Sequence, residues 1–217
     1  TMAKELARNI NYVYVDSGAM FRAVTLFALQ HNIIINNIID DIKLKAFLQD
    51  CNISFNNNCY TENTETYLNG KNVESEIRTM EVSNFVSRIA QLPFVRKALL
   101  IQQHKMGKEK GIVMDGRDIG TTVFPDAEMK VFVTASPEIR AQRRYEELKA
   151  KGQNISIEQV LRNVKERDYI DSHRTTSPLR QATDAIVLDN SCLSREEQLK
   201  WLLNLFNKII QNQSQSS

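Results

Sequence analysis

The apolar run Gly111-Ile112-Val113-Met114 ends abruptly in Asp115-Gly116-Arg117-Asp118-Ile119-Gly120, and this junction constrains the chain more than any other. A short unbroken apolar run bounded by turn residues reads as a strand buried on both faces, the kind found in parallel sheets covered by helices. Two acids flanking an arginine at its end are badly placed for packing. In open α/β sheets, ligands bind in the crevice beyond the carboxyl ends of the strands. The hexapeptide is therefore well placed to grip an anionic, hydrogen-bonding ligand such as a nucleotide.

The rest of the chain repeats the alternation. A short helix starts at Thr1. Strands are expected at 12–15, 111–114, 129–134 and 185–188, and helices at 19–31, 41–50, 82–106 (interrupted near Pro93), 137–149, 157–169 and 194–210. Alternating helix and strand predicts an α/β fold, a parallel sheet with helices on both faces. Residues 52–71 change character: they are rich in Asn, Thr and Glu, with strand-like pieces at 52–55 and 66–68 and a turn at Asn69-Gly70. We read 52–84 as a small β-containing insertion in a core made of 1–51 and 85–217. In the last helix Leu199, Leu202, Leu203, Phe206 and Ile210 recur at helical spacing, and Trp201 is assigned to packing. The polar segment 211–217 is expected to fray.

Composition serves mainly to exclude. At 217 residues and 42% hydrophobic the chain can bury a core without disulfides. A net charge of +2 makes no bulk electrostatic case for nucleic acid or membrane binding. Cys51, Cys59 and Cys192 are odd in number and irregularly spaced, so they read as reduced thiols of a cytoplasmic protein. No run of about 18 apolar residues is present to span a membrane. No exposed apolar stripe demands a partner, which makes a monomer the default expectation. His31, His104 and His173 share no ligand-like spacing, and no Ser-His-Asp or Cys-His constellation stands out.

Four stretches could carry chemistry, each with a plainer alternative. Asp16-Ser17-Gly18 closes the first strand, with Arg22 one helical turn on. Either the acid or the hydroxyl caps a helix and Arg22 is a surface charge, or Ser17 and Arg22 hold a phosphate. In the hexapeptide, Gly116 and Gly120 let backbone approach a ligand, and Asp115 is placed to orient magnesium through water. Arg117 can fork onto phosphate oxygens, and Asp118 can accept from an amino group such as the N4 of cytosine. The alternative is a turn with an internal Asp–Arg pair. Arg140, Arg143 and Arg144 share one helix face. They are either a solvated surface or an anion site, since few nearby acids compensate them. Arg167, Asp171 and Arg174 form one helical stripe, which alone would be a self-neutralising ladder.

Together these stretches resemble the bacterial cytidylate kinases, a family of the nucleoside monophosphate kinase group with an adenylate kinase-like P-loop fold. The resemblance rests on Asp16 through Ala23, Ser87 through Arg96, Asp115 through Ala127, Arg167 through Leu179 and Thr183 through Asp189. They stand in the family's order and span almost the whole chain. The resemblance implies transfer of the γ-phosphoryl group of ATP, with Mg2+, to CMP or dCMP. By resemblance, Ser17, Arg22, Arg117 and Arg174 would hold the acceptor phosphate. Ser87, Arg96 and Asp118 would read cytosine, and Arg167 and Asp171 would meet the sugar. Arg140, Arg143 and Arg144 would belong to a helical lid at about 140–172 that closes over ATP, and 52–84 would be the monophosphate-binding insertion. Phe21 stands where Tyr is common.

No G-x-x-x-x-G-K-[ST] segment occurs. Thr1 falls where its final residue would stand, which implies a role beside ATP and Mg2+ and a phosphate loop preceding Thr1. The alternatives are a chain without ATP binding that acts as a CMP-binding module, or a kinase for UMP, dTMP or AMP.

Overall fold

Asp16 stops a strand and starts a helix. Its carboxylate accepts the Ala19 amide at 2.8 Å, capping α2 (Ser17–Gln30) at its first turn. Helix α2 is apolar almost all round, and Ala19, Met20, Ala23, Val24 and Ala28 are fully buried. A helix of that composition belongs at the centre of a molecule, and here it anchors the main core. The computed structural model describes residues 1–58 and 63–215, with side chains described for 1–56 and 64–212.

The strands expected to be parallel are parallel. β1 (Val13–Asp16) pairs with β7 (Ile112–Asp115) so that Asp16 lies opposite Asp115. β8 (Val131–Thr134) pairs with β9 (Ile186–Asp189). These are two separate pairs among the described residues. Helix α1 (Met2–Asn9) and α8 (Arg195–Gln215) pack together beside them, and Tyr12 meets Phe206 edge to face at 5.8 Å. α8 runs on through residues expected to fray. Ser216, Ser217 and Cys59 lie outside the described residues, and Cys51 and Cys192 are free thiols.

Between α2 and β7 the chain first makes a small hairpin, β2 (Ile34–Ile35) and β3 (Ile38–Ile39), turned by Asn36 and Asn37 at φ 50° and 63°. Asparagine tolerates that left-handed backbone, and two such residues match the twist of a tight hairpin. After α3 (Asp41–Phe47) come three antiparallel strands, β4 (Ile53–Asn58), β5 (Asn63–Leu68) and β6 (Lys71–Asn72). Asn69-Gly70 forms the second turn, as the sequence implied, with both residues at positive φ. Ile53, Leu68, Val73 and Ile77 from this segment enter the same apolar cluster as α2. α4 (Met80–Ile89) and α5 (Pro93–Gly107) then pack on α2.

The two long charged helices are α6 (Pro137–Ala150) and α7 (Ile157–His173). Ser136 caps the first, and Ser156 with Gln159 makes a capping box on the second. They form a hairpin with its own small cluster around Ala141, Leu148 and Val160, and Met80 of α4 packs against it. Among the described residues, no helix is long and apolar enough to cross a membrane.

Candidate active site

A cavity of about 1580 Å3 runs along β7 and β8, between α1 and α8 at one end and α2, α5, α7 and the hexapeptide turn at the other. The carboxyl ends of β1 and β7 open into this cleft. Ser17 donates its hydroxyl to the Asp115 carbonyl at 2.7 Å, tying the first turn of α2 to the end of β7. Gly116 is required by that closeness, since a Cβ there would lie 2.1 Å from the Ser17 hydroxyl. Asp16, not Ser17, caps the helix. Ser17 is thus held in place by backbone while it faces the cleft.

One wall of the cleft is a chain of alternating charges. Arg96 donates to Asp118 and, at 3.1 Å, to the Ala90 carbonyl, and its guanidinium lies 5.3 Å above the Phe21 ring. Arg174 lies 3.8 Å from the other Asp118 oxygen and 3.6 Å from Asp171, and donates to the Ser177 carbonyl at 2.7 Å. Arg117 donates to Asp171 at 3.1 Å. Asp118 is 5% exposed and Asp171 4% exposed, so both carboxylates are held out of water by arginine partners. Ser87 is buried on the same wall. The hexapeptide is therefore not a turn closed by an internal ion pair, because its arginine pairs with α7 and its second acid with α5. The α7 stripe neutralises itself only in part, since Asp171 meets Arg174 within it but hydrogen-bonds to Arg117 from outside it.

Buried guanidinium donors remain without acceptors. The Nε atoms of Arg96 and Arg167 and one terminal nitrogen of Arg174 are buried with no hydrogen-bond partner. A buried donor left unpaired costs on the order of 1–3 kcal/mol, more when charged. Arg22 is no surface charge; it is buried and donates at 3.0 Å to both the Ile77 carbonyl and the Ser83 hydroxyl. Burial, then Arg167, Arg78 and Arg144, push Arg22 below its ordinary pKa. Burial and Arg117 do the same to Arg167, and burial and Arg96 to Arg174. Positive charge has been gathered at one end of the cleft beyond what the protein's own acids compensate. An anion with several acceptor oxygens relieves both the repulsion and the unmet donors.

At the strand ends, Tyr14 donates to Asp115 at 2.9 Å and accepts from the Thr1 hydroxyl at 3.4 Å. Thr1 also caps α1 through the Lys4 amide, so it stands directly before a helix as expected. Burial and the neighbouring Asp16 raise the Asp115 carboxyl to about 6, against the Tyr14 hydrogen bond. These oxygen donors suit a hard divalent cation such as Mg2+. A crowded carboxylate pair is the feature a cation would relieve.

The three helix arginines do share one helix, but not one ligand. Arg140 lines the cleft and makes a two-pronged contact with Asp168 at 2.8 and 2.6 Å. Arg143 reaches Asn190 and the Ser191 carbonyl, and Arg144 reaches the Arg78 carbonyl at 2.6 Å and Glu147 at 2.8 Å. Their repulsion is met by Glu147 one turn on and otherwise by groups distant in sequence, so their crowding alone does not call for an anion. Sequence reasoning missed two residues that hold the site. Tyr14, the buried partner of Asp115, looked like a strand apolar. Arg78, which lines the cleft and pairs with Asp16 at 2.7 Å, sat inside the insertion with no motif to mark it.

A parallel α/β core, a strand-end cleft gathering arginines with unmet donors, and a charged helical hairpin beside it define a phosphotransferase of the nucleoside monophosphate kinase class. The family description Cytidylate kinase matches residues 1–208. The chain is 61% identical over 210 residues to a protein named Cytidylate kinase from Bacteroides thetaiotaomicron, covering 97% of this chain and 92% of that one. Proteins of the same name from Parabacteroides distasonis and Flavobacterium johnsoniae are 60% and 54% identical, again over 97% of this chain, and over 92% and 91% of theirs. The chain belongs to the cytidylate kinase family.

Proposed function

We propose that this protein transfers the γ-phosphoryl group of MgATP to CMP or dCMP, giving CDP or dCDP and ADP. An oxygen of the acceptor phosphate attacks the γ-phosphorus, and the bond from that phosphorus to the bridging β-oxygen breaks. No general base is needed, because the acceptor phosphate is already ionised near neutral pH. Such transfer depends on positioning and charge neutralisation more than on covalent help. The observation that carries the reading is the set of buried, unpartnered guanidinium donors on Arg96, Arg167 and Arg174 around one cleft.

Ser17, Arg22, Arg117 and Arg174 hold the acceptor phosphate in this reading. Ser87, Arg96 and Asp118 read the base, and Arg167 and Asp171 meet the sugar. Cytosine presents an amino donor where uracil presents a carbonyl, so Asp118 accepts from the first and repels the second. Asp115 and Thr1 would hold Mg2+, which supplies neutralisation of phosphate charge when bound. Residues 52–84 serve as the monophosphate-binding insertion. The hairpin at about 140–172 serves as the lid. Its Arg140, Arg143 and Arg144 exchange their present partners for ATP phosphates and exclude water on closing. We further propose a cytoplasmic monomer with nucleotides, not nucleic acid, as partners.

The test is formation of the matching nucleoside diphosphate from each of CMP, dCMP, UMP, dTMP and AMP, with Asp118→Asn beside the wild type. CMP and dCMP are expected to lead by at least tenfold, and the substitution to narrow the CMP-to-UMP ratio by at least tenfold. Another monophosphate leading the panel would overturn the substrate. CMP binding with no CDP formed by the full-length protein would favour a non-catalytic module. An unchanged ratio in Asp118→Asn would remove Asp118 from base reading.

A further inference from the structure

One guanidinium joins three parts of this molecule, and none of the acceptor-site roles above uses it. Arg78 donates from Nε to Glu74 at 3.0 Å, while one of its terminal nitrogens lies 2.9 Å from Glu74 and 2.7 Å from Asp16. The second Glu74 oxygen accepts the amide and hydroxyl of Thr66, on β5, at 3.1 and 2.7 Å. The second Asp16 oxygen caps α2. An unbroken run of hydrogen bonds thus leads from the insertion sheet, through Arg78, to the residue immediately before Ser17. The backbone carbonyl of Arg78 accepts from Arg144 of the helical hairpin.

A purely structural tie would not need to end at Asp16, which lies in register with Asp115. Burial works against the Arg78 charge, but Asp16 and Glu74 outweigh it and hold its pKa above the ordinary value. Without Arg78, two carboxylates would face each other at the rim, uncompensated. They would repel an anionic phosphate, and Asp16 would be pushed off the α2 cap. Ser17 and Arg22, the first and sixth residues of that helix, would lose their aim. Lysine cannot replace this fork, because a single ammonium does not present two parallel donor edges to two acids.

We propose that Arg78 is a positioning residue for the acceptor nucleotide, clamping the insertion to Asp16 so that Ser17 and Arg22 stay presented to the CMP phosphate. This rests on the CMP kinase reading above. The clamp acts on the acceptor side only. Its loss changes CMP affinity and leaves the affinity for ATP unaltered.

Calorimetric titration of CMP, without ATP, tests this on full-length protein carrying Arg78→Met, Arg78→Lys, Glu74→Gln, or Arg78→Met with Asp16→Asn. Thermal midpoints and the two KM values are measured on the same samples. Arg78→Met is expected to weaken CMP binding at least tenfold and to raise the KM for CMP alike, with the KM for ATP within twofold of wild type. Arg78→Lys recovers less than half of that loss. Glu74→Gln, which keeps the pair with Asp16, weakens CMP about threefold. Adding Asp16→Asn to Arg78→Met removes the stranded charge and restores CMP affinity at least threefold. If Arg78→Met melts too early to titrate, Arg78→Lys and Glu74→Gln carry the same comparison. Unchanged CMP affinity in a variant that only melts earlier would reduce Arg78 to a structural residue and overturn the clamp alone. Wild-type protein without CMP affinity would overturn the substrate reading, and the clamp with it.

Discussion

Gly116 has no room for a methyl group, because the Ser17 hydroxyl occupies the place where it would sit. Gly116→Ala must therefore move Ser17 off the Asp115 carbonyl or push the strand end outward. We expect CMP phosphorylation to fall at least a hundredfold, with circular dichroism unchanged and a thermal midpoint only slightly lower. Wild-type turnover in that variant would show that Ser17 is not held where the acceptor phosphate binds. The sequence marked these residues because a charged turn after an apolar run has few structural uses. It could not say which charges would meet. Arg117 finds Asp171 across 54 positions, and Arg78 finds Asp16 across 62. Such pairings depend on how elements dock, which no local pattern encodes. For the same reason the helical spacing of Arg140, Arg143 and Arg144 was legible while their separate partners were not.

Helix α6 and helix α7 show what local signals convey reliably. Ser136-Pro137 and the Ser156-to-Gln159 box fix where each helix starts. Gly152 at φ 74° lies in the turn between them. The β2–β3 hairpin was not legible. Its residues read as one apolar run broken by two asparagines, with no alternation to suggest strands that pair with each other. The α6–α7 hairpin has a small cluster of its own, and Leu148 is fully buried in it. Leu148→Ala should cost about 2–5 kcal/mol of local stability. Because that cluster is separate from the α2 core, the loss should stay in the hairpin. Hydrogen exchange should speed up over α6 and α7 and not over α2, with the KM for ATP raised and CMP binding by calorimetry weakened as well, because Arg167 and Asp171 stand on α7. Equal acceleration in α2 would mean that the hairpin does not loosen as a unit, contrary to the lid proposed for it.

Across the molecule, alternation of helix and strand was enough to predict parallel pairing, but not which strands would be neighbours. β1 pairs with β7, about a hundred residues away, and this pairing places Asp16 beside Asp115. The consequence is a pH dependence that can be worked out in sign. The Asp115 carboxyl is raised from 3.8 to about 6 by burial and by Asp16. Below about pH 4 the group is protonated in folded and unfolded chains alike, and it does not oppose folding. As pH rises through the interval from 4 to 6, the unfolded chain ionises freely while the folded one resists, so stability is lost. Above 6 the loss is complete, on the order of 3 kcal/mol for a shift of this size. Asp115→Asn removes the charge and keeps an oxygen for the Tyr14 hydroxyl. In EDTA at pH 7.5 it should be more stable than wild type by about 1–3 kcal/mol, a rise of roughly 2–12 °C in thermal midpoint for a chain of this length. The advantage should shrink to nothing by pH 4. A constant difference from pH 4 to 8 would assign the effect to packing instead. A less stable variant at pH 7.5 would mean that the strand-end acids are not crowded. The same substitution should lower CDP formation at every pH, because the charge that weakens the ligand-free fold is the charge proposed to hold Mg2+.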